Sequence, residues 1–209
     1  MKEQTTRTPP KLRFLSAFLA VAMLLNLAAL LALADSGNGG CTVAGVEMTG
    51  DWGPSSSEIK IDGQVSYLSN TLTFISDEVV LNTIATGVES TTPLVTAADG
   101  NNGLKLVAKG KVIGNTKANG FERPKEIAGG KYSLMNLDWQ YASTGILGLD
   151  AGTTITDGTE IKLKNFRTGI GGGSVQIEGT VIIMTEGYGE RVRCGIANST
   201  TMNPGSKLE

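Results

Sequence analysis

The sequence predicts an all-β protein, a single antiparallel β-sandwich behind an N-terminal hydrophobic helix. After residue 40, short runs of alternating apolar and polar residues are separated by Gly, Asn, Asp and Ser. No part of this region shows a sustained apolar stripe at the helical period of about 3.6 residues. Because a β-barrel or a short β-solenoid is built from the same kind of strand, both are alternative architectures.

The N-terminal segment directs export. Residues 14–34 read FLSAFLAVAMLLNLAALLALA and follow a segment with four basic residues and one acid. A basic region, an apolar region and a small-residue exit are typical of a secretory signal peptide. Ala32 and Ala34 form an A-x-A motif, which predicts cleavage before Asp35. No twin-arginine pair is present, so we expect the general secretory route.

The length of the apolar run supports a second interpretation. Its 21 residues exceed the usual apolar region of a signal peptide, about 7–15 residues, and match the roughly 20 needed to cross a bilayer. An uncleaved anchor would leave the basic end in the cytoplasm. The protein is therefore expected to be secreted or at the cell surface, or membrane-anchored through residues 14–34 with its β domain outside.

Composition predicts four segments. Residues 1–34 are the signal peptide or anchor, 35–40 a flexible spacer, 41–196 the all-β domain and 197–209 a disordered tail. The region after residue 34 has enough residues for one hydrophobic core. It contains 14 Lys and Arg and 19 Asp and Glu, so its net charge is negative. A negative net charge argues against nucleic acid or an anionic membrane surface as a partner.

The two cysteines predict a disulfide. Cys41 and Cys194 are the only cysteines of the chain, and exported thiols tend to be oxidised in pairs. A bond between them would close a loop of about 150 residues and contribute roughly 5 kcal/mol in the chain-entropy model. Two unpaired buried thiols are the alternative.

Alternation predicts the first strands within residues 43–84. Residues 43–48 form the first predicted strand, and 58–66 and 68–74 continue with a period of two. Residues 79–84 form a denser apolar run, either a central strand or a short helix. A long loop with one weak strand is expected to follow.

The later strands have clearer faces. Residues 103–114 place three lysines on one face, which protects a sheet edge from further pairing. In residues 131–142, Met135, Leu137, Trp139 and Tyr141 share a face and are expected to fill the core. Residues 159–166 direct Ile161 and Leu163 inward. The glycines at 171–173 read as a hairpin connection between adjacent strands.

The chain lacks most catalytic side chains. It contains no histidine, which removes Ser-His-Asp and Cys-His nucleophilic sites and the usual zinc ligands. We predict no enzyme activity, no metal and no cofactor. A glycoside hydrolase with paired carboxylates is the alternative, and Asp138, Glu160 and Glu178 are its candidate acids. The oxygen-rich segment 99–103 reads as a turn rather than a calcium loop.

The C-terminal half resembles an uncharacterised family of small exported actinobacterial all-β proteins. The matching text is KLKNFRTGIGGGSVQIEGTVIIMTEGYGERVRC, residues 162–194, preceded by YSLMNLDWQYAST, residues 132–144. The shared features are a strand ending in Asn and an apolar residue, a small-residue turn and a late cysteine. The resemblance implies an exported all-β protein with paired cysteines and supplies no activity.

These observations lead to three functional hypotheses. The first is an exported, non-enzymatic cell-envelope or surface protein with a structural, adhesive or self-assembling role, whose partners are further copies or envelope components. The second is an envelope carrier that binds an apolar ligand or lipid in a β-sheet cavity. The third is a carbohydrate-binding module in which Trp52, Trp139 and Tyr141 contact the ligand.

Overall fold

The computed structural model describes residues 40–49, 59–61, 64–83, 92–138, 143–184, 194–197 and 199–209. The chain divides into two units, Met1–Gly37 and Asn38–Glu209, and every described residue belongs to the second. The described residues form strands and turns without any helix, which confirms the all-β prediction. They accordingly contain no helix with the length and hydropathy of a membrane span. The predicted N-terminal helix lies outside the described residues.

Twenty-one strands make up the described part of the chain. In order, they are β1 (Gly40–Val43), β2 (Val46–Thr49), β3 (Ile59–Ile61), β4 (Val65–Leu68), β5 (Thr71–Phe74), β6 (Glu78–Asn82), β7 (Val95–Ala97), β8 (Lys105–Ala108), β9 (Lys111–Thr116), β10 (Phe121–Glu122) and β11 (Glu126–Ala128). The rest are β12 (Lys131–Asn136), β13 (Thr144–Gly148), β14 (Thr153–Ile155), β15 (Glu160–Lys164), β16 (Thr168–Gly172), β17 (Val175–Ile177), β18 (Thr180–Met184), β19 (Cys194–Ile196), β20 (Thr200–Met202) and β21 (Lys207–Leu208).

The strands form three sheets. Sheet A has the order β19-β16-β13-β10-β7-β1-β2, sheet B has β20-β17-β14-β11-β8-β5-β4-β3, and sheet C has β21-β18-β15-β12-β9-β6. From β5 onward the chain visits sheets B, C and A in turn, so each strand neighbours the strand three places later. We call three consecutive strands, one in each sheet, a coil; the last coil is β19, β20 and β21.

Pairing between successive coils is parallel, for example between β12 and β15 and between β15 and β18. Antiparallel pairs are confined to β1–β2, β1–β7, β3–β4 and β4–β5. The predicted antiparallel arrangement is therefore wrong for most of the described chain. An alternating pattern identifies which side chains share a face, but it does not identify the neighbouring strand or its direction.

Tight turns shape the first strands. Ala44 and Gly45 both have positive φ, 48° and 83°, and join β1 to β2 in a two-residue hairpin. Ser69 and Asn70, with φ of 49° and 59°, do the same between β4 and β5. The first predicted strand, residues 43–48, is thus divided by a hairpin turn.

Side chains from all three sheets fill the interior as one apolar cluster. The rings of Phe74 and Phe121 meet the ring of Tyr132 edge-on, with centroid distances of 6.2 Å and 5.7 Å. The Tyr132 hydroxyl donates a hydrogen bond of 2.8 Å to the Ala128 carbonyl oxygen. The largest polar group in this part of the core is therefore satisfied.

The predicted faces are correct for β15 and reversed for β12. Ile161 and Leu163 are fully buried, as expected. In β12, however, Tyr132 and Leu134 point inward, and Leu137 beyond it is 49% exposed. Both faces of this segment carry apolar residues, so hydrophobicity alone does not decide its orientation.

Two corrections concern the end of the chain. The glycines at 171–173 do not join two adjacent strands of one sheet: Gly171 and Gly172 end β16 in sheet A, and Gly173 follows at the corner that leads to β17 in sheet B. Residues 197–209, predicted to be a disordered tail, contain β20 and β21. The backbone amide of Glu209 donates a 3.0 Å hydrogen bond to the Val181 carbonyl oxygen. A polar segment can pair in this way because backbone hydrogen bonds to the previous coil do not require an apolar sequence.

Candidate functional site

The core residues of sheet A lie in a column that runs from coil to coil. Phe121, Ile146 and Ile170 are in register on successive strands, and each is 0% exposed. The next residue in the column is Ile196 of β19, which is only partly buried. The column therefore ends in an apolar side chain that the described coils do not fully cover.

Sheets B and C end in the same way. In sheet B, Ile155 and Ile177 are fully buried, and the following residue in register, Met202, is 42% exposed. In sheet C, Val181 is fully buried, and Leu208 beside it is partly buried. Ile196, Met202 and Leu208 thus form one apolar surface at the end of the stack, which we call the terminal patch.

The opposite end of the stack is closed. Its first core residues, Val43 and Met48 in sheet A, Tyr67 in sheet B, and Val79 and Leu81 in sheet C, are at most 5% exposed. The antiparallel hairpins β1–β2 and β3–β4 add strands to sheets A and B at this end. Among the described residues, the two ends of the stack therefore differ in how well they cover the core.

A column of glycines follows one corner of the stack and reaches the last coil. A Cβ atom added at Gly120 would lie 2.3 Å from the carbonyl oxygen of Gly145, and one added at Gly169 would lie 2.6 Å from that of Gly195. At Gly195 an added Cβ would meet no described atom within 4 Å. Each earlier glycine makes room for the backbone of the following coil, whereas Gly195 has no described coil beyond it.

The rim of the terminal patch is polar and balanced in charge. Lys207 and Glu209 form an ion pair on the last strand of sheet C. The Asn203 side-chain amide donates a 3.1 Å hydrogen bond to the Glu178 carboxylate, and the Ser206 hydroxyl donates to the Asn203 carbonyl. An apolar centre with a polar, nearly neutral rim is typical of a protein-contact surface.

The predicted disulfide between Cys41 and Cys194 is not formed in the structure. Cys41 is a buried free thiol in β1, whereas Cys194 belongs to β19. Four strands of sheet A separate β1 from β19, which places them roughly 24 Å apart at about 4.8 Å per step. A disulfide needs Cα atoms within about 7 Å. The two ends of the domain lie at opposite ends of the stack, so the cysteines do not meet.

The other predicted site residues lie outside the described residues. They are the cleavage residues Ala32, Ala34 and Asp35 and the aromatic residues Trp52, Trp139 and Tyr141. Their proposed roles therefore remain predictions.

Two of the candidate carboxylates, Glu160 and Glu178, are bound by neighbouring side chains. Glu160, on the outer face of sheet C, pairs with Lys162 at 3.0 Å and with Lys131 at 3.6 Å. The hydrogen bond from Lys162 and the nearby charges hold the pKa of Glu160 below its usual value. Glu178 follows a strand of sheet B and accepts hydrogen bonds from Gln176 and Asn203. Each of these two acids is therefore bound by its own neighbours.

The oxygen-rich segment at 99–103 contains a turn. The Asp99 carboxylate forms a 3.0 Å ion pair with Arg123, and Gly100 has a φ of 81°. The side-chain amide of Asn101 donates a 2.8 Å hydrogen bond to the Gly40 carbonyl oxygen and thereby connects this turn to β1. Across the described residues, no group of three or more His, Cys, Asp or Glu side chains is arranged to hold a metal ion.

No family model, curated protein or solved structure matches the chain. The resemblance of residues 132–194 to exported actinobacterial proteins stays a prediction.

The terminal patch was not predicted from the sequence, although a signal for it exists. Gly-Phe or Gly-Ile recurs at residues 120, 145, 169 and 195, which are 25, 24 and 26 residues apart. Repeats of 20–50 residues are typical of stacked architectures. The last repeat marks the last coil and therefore the residues of the patch.

Proposed function

We propose that the chain is an exported, non-enzymatic structural protein of the cell envelope or surface. We infer that it is a short β-solenoid that works by associating with protein through its last coil. The observation that carries the proposal is the terminal patch, where Ile196, Met202 and Leu208 end the three core columns without full burial.

Stacked architectures normally end in coils or repeats with a polar outer face, because the apolar interior would otherwise meet water. The hairpins β1–β2 and β3–β4 provide such an ending at one end of the stack. The terminal patch lacks it among the described residues. A second protein that adds strands to β19, β20 and β21 would cover the patch and extend the sheets, as in β-strand addition.

Export is supported by the leader. The basic segment, the apolar run at residues 14–34 and the Ala32-Leu33-Ala34 motif direct the domain out of the cytoplasm. In the alternative, residues 14–34 stay as a membrane anchor and the stack stands outside the membrane. Either arrangement presents the terminal patch to other proteins of the envelope or surface.

The two other hypotheses have less support. A carrier needs a chamber, whereas Phe74, Phe121 and Tyr132 pack edge-on in the middle of the described interior. A carbohydrate module would depend on Trp139 and Tyr141, and loss of sugar binding in Trp139→Ala would establish it.

Export combined with sedimentation tests the proposal. The chain is produced in a bacterial host that exports it, and the exported form is analysed by N-terminal sequencing and by sedimentation velocity over a wide concentration range. We expect an N-terminus at Asp35, or full-length protein exposed at the cell surface, and assemblies larger than one chain. Retention in the cytoplasm, or a monomer at every concentration, would overturn the proposal.

A further inference from the structure

We infer that the closed end of the stack, strands β1–β5, folds first and serves as the template on which the later coils add in chain order. This folding order goes beyond the proposed function, because it concerns a single chain and involves no partner. Its basis is the difference between strands that can pair locally and strands that cannot.

The later strands do not pair within their own coil. From β8 onward, consecutive strands belong to different sheets, and every described pair joins strands three places apart. Tyr132, for example, pairs with Ile161, 29 residues later. Phe121 pairs with Ile146, 25 residues later. Closing a loop of this length costs conformational entropy before the first hydrogen bond of the ladder forms. A coil therefore needs a neighbour that is already in place before it can satisfy its backbone.

The closed end, by contrast, pairs locally. Val43 pairs with Val46 in the β1–β2 hairpin, and Leu68 pairs with Thr71 in the β4–β5 hairpin. Both pairs are three residues apart, and β-hairpins form in about 1–10 μs. The second edge of β1 then pairs with β7, and that of β5 pairs with β8. The two hairpins thus provide the edges on which sheets A and B grow.

The closed end also offers the next strands an apolar surface and fixed hydrogen-bond partners. Leu72 and Phe74 of β5 are fully buried, and the ring of Phe74 meets that of Tyr132 edge-on. The backbone amide of Ala44, in the β1–β2 turn, donates a 2.8 Å hydrogen bond to the carbonyl oxygen of Leu94. The residues just before β7 are therefore held by the first hairpin.

This folding order agrees with the direction of export. The closed end is the first part of the domain after the apolar run at residues 14–34, so in an exported chain it leaves the membrane channel before the later coils. Each coil then meets a folded neighbour as it emerges. Its strand edges stay unpaired only briefly, which limits aggregation during folding.

Two matched substitutions test the folding order. Val65 and Val175 both belong to sheet B, in β4 and β17, and each is 2% exposed. Refolding and unfolding of the exported form are followed by stopped-flow fluorescence in urea. Val65→Ala should slow refolding about threefold or more with little effect on unfolding, because its contacts form in the transition state. Val175→Ala should accelerate unfolding about threefold or more with little effect on refolding.

A substitution in the first turn tests the same order in the opposite direction. Ala44 has a φ of 48°, a conformation that alanine disfavours and asparagine tolerates. Since Gly45 follows, Ala44→Asn produces the Asn-Gly pair that two-residue hairpins prefer. We expect faster refolding and an unchanged unfolding rate. An unchanged refolding rate together with slower unfolding would place this hairpin late and overturn the inference.

Pulsed hydrogen exchange of the unmodified chain gives a test that does not depend on any variant. During refolding, the amides of β4 and β5 should become protected before those of β14 and β17. Protection of all four strands in one step, or of β14 and β17 first, would overturn the ordered addition of coils. Equal slowing of refolding by Val65→Ala and Val175→Ala would do the same. None of these outcomes bears on association of the last coil, which sedimentation tests separately.

Discussion

The thiol of Cys41 lies in the first strand of sheet A, 2% exposed, beneath the residues that close one end of the stack. Burial raises the pKa of this thiol to about 12, because a thiolate would lose its hydration in an apolar site. The thiolate is the reactive form of cysteine. Burial and the raised pKa therefore both protect Cys41 from oxidation and from thiol reagents.

We predict that the exported protein keeps both thiols. Under denaturing conditions without reductant, a thiol-reactive chromophore should report two thiols for each chain. In native Cys194→Ser at neutral pH, the remaining Cys41 should react at least a hundredfold more slowly than in the unfolded chain. A denatured, unreduced protein with no reactive thiol would contradict the strand order of sheet A.

Stability should fall at alkaline pH, and Cys41 determines part of that fall. Its pKa is raised above the ordinary 9.0, so the folded state holds the proton more tightly than the unfolded state does. The Cys41 thiol therefore contributes up to roughly 4 kcal/mol to the free energy of unfolding. This contribution is complete below pH 9 and is lost as the pH rises toward 12. Burial also raises the pKa values of Tyr67 and Tyr132, which act in the same direction.

Urea unfolding at a series of pH values measures this effect. Cys41→Val keeps an apolar side chain and removes the titrating group, so its free energy of unfolding should decline less between pH 9 and pH 12. The tyrosines leave a residual decline in the variant. Identical slopes for the variant and the unmodified chain would show that Cys41 is not buried in the folded protein.

At the scale of single elements, the glycine column controls how closely the coils approach. In Gly120→Ala the new Cβ would lie 2.3 Å from the Gly145 carbonyl oxygen, and backbone atoms cannot move aside as a flexible side chain can. We predict a loss of about 2 kcal/mol or more in the free energy of unfolding, typical of forced overpacking.

Gly195→Ala is the matched control for this prediction. Gly195 lies three coils after Gly120 in the same column, and a Cβ atom added there would meet no described atom within 4 Å. In dilute protein, where association does not contribute, its free energy of unfolding should stay within about 1 kcal/mol of the unmodified value. Equal losses for the two variants would contradict the stacking of coils along this corner.

The elements also show what the sequence could and could not predict. In β15, Ile161 and Leu163 alternate with Lys162 and Lys164, so the faces followed directly from polarity. In β12, Tyr132, Leu134 and Met135 leave both faces apolar, so polarity did not identify the buried face. Parallel pairing did not follow from alternation at all, because neighbouring strands lie about 20–30 residues apart along the chain.

The terminal patch was missed for a related reason. Ile196, Met202 and Leu208 look like ordinary inward residues of three short strands. Their exposure depends on their place in the stack, which only the order of the coils reveals. The glycine that recurs at residues 120, 145, 169 and 195 indicates the order of the coils in the sequence. The disulfide prediction assumed that the two ends of the domain meet, whereas the strand order of sheet A separates β1 from β19.

At the scale of the whole stack, the described residues cover the core more completely at one end than at the other. One end is closed by hairpins, with core residues such as Met48 and Leu72 fully buried. The other leaves Met202 42% exposed, so part of the hydrophobic stabilisation is unrealised in a single copy. Covering the terminal patch completes the core, and association should therefore stabilise the fold.

This coupling predicts a thermal midpoint that depends on protein concentration. When only folded chains associate with one another, mass action shifts the unfolding equilibrium, and the midpoint rises with total concentration. For a hundredfold increase above the dissociation constant, the shift corresponds to about 1.4 kcal/mol per chain, or several degrees for a domain of this size. Differential scanning calorimetry over a dilution series measures it. Met202→Lys should show the same midpoint at every concentration. Val80→Lys, a control at a 54% exposed residue of β6, should follow the unmodified chain. A midpoint of the unmodified chain that does not change with concentration would mean that the last coil is stable without a partner.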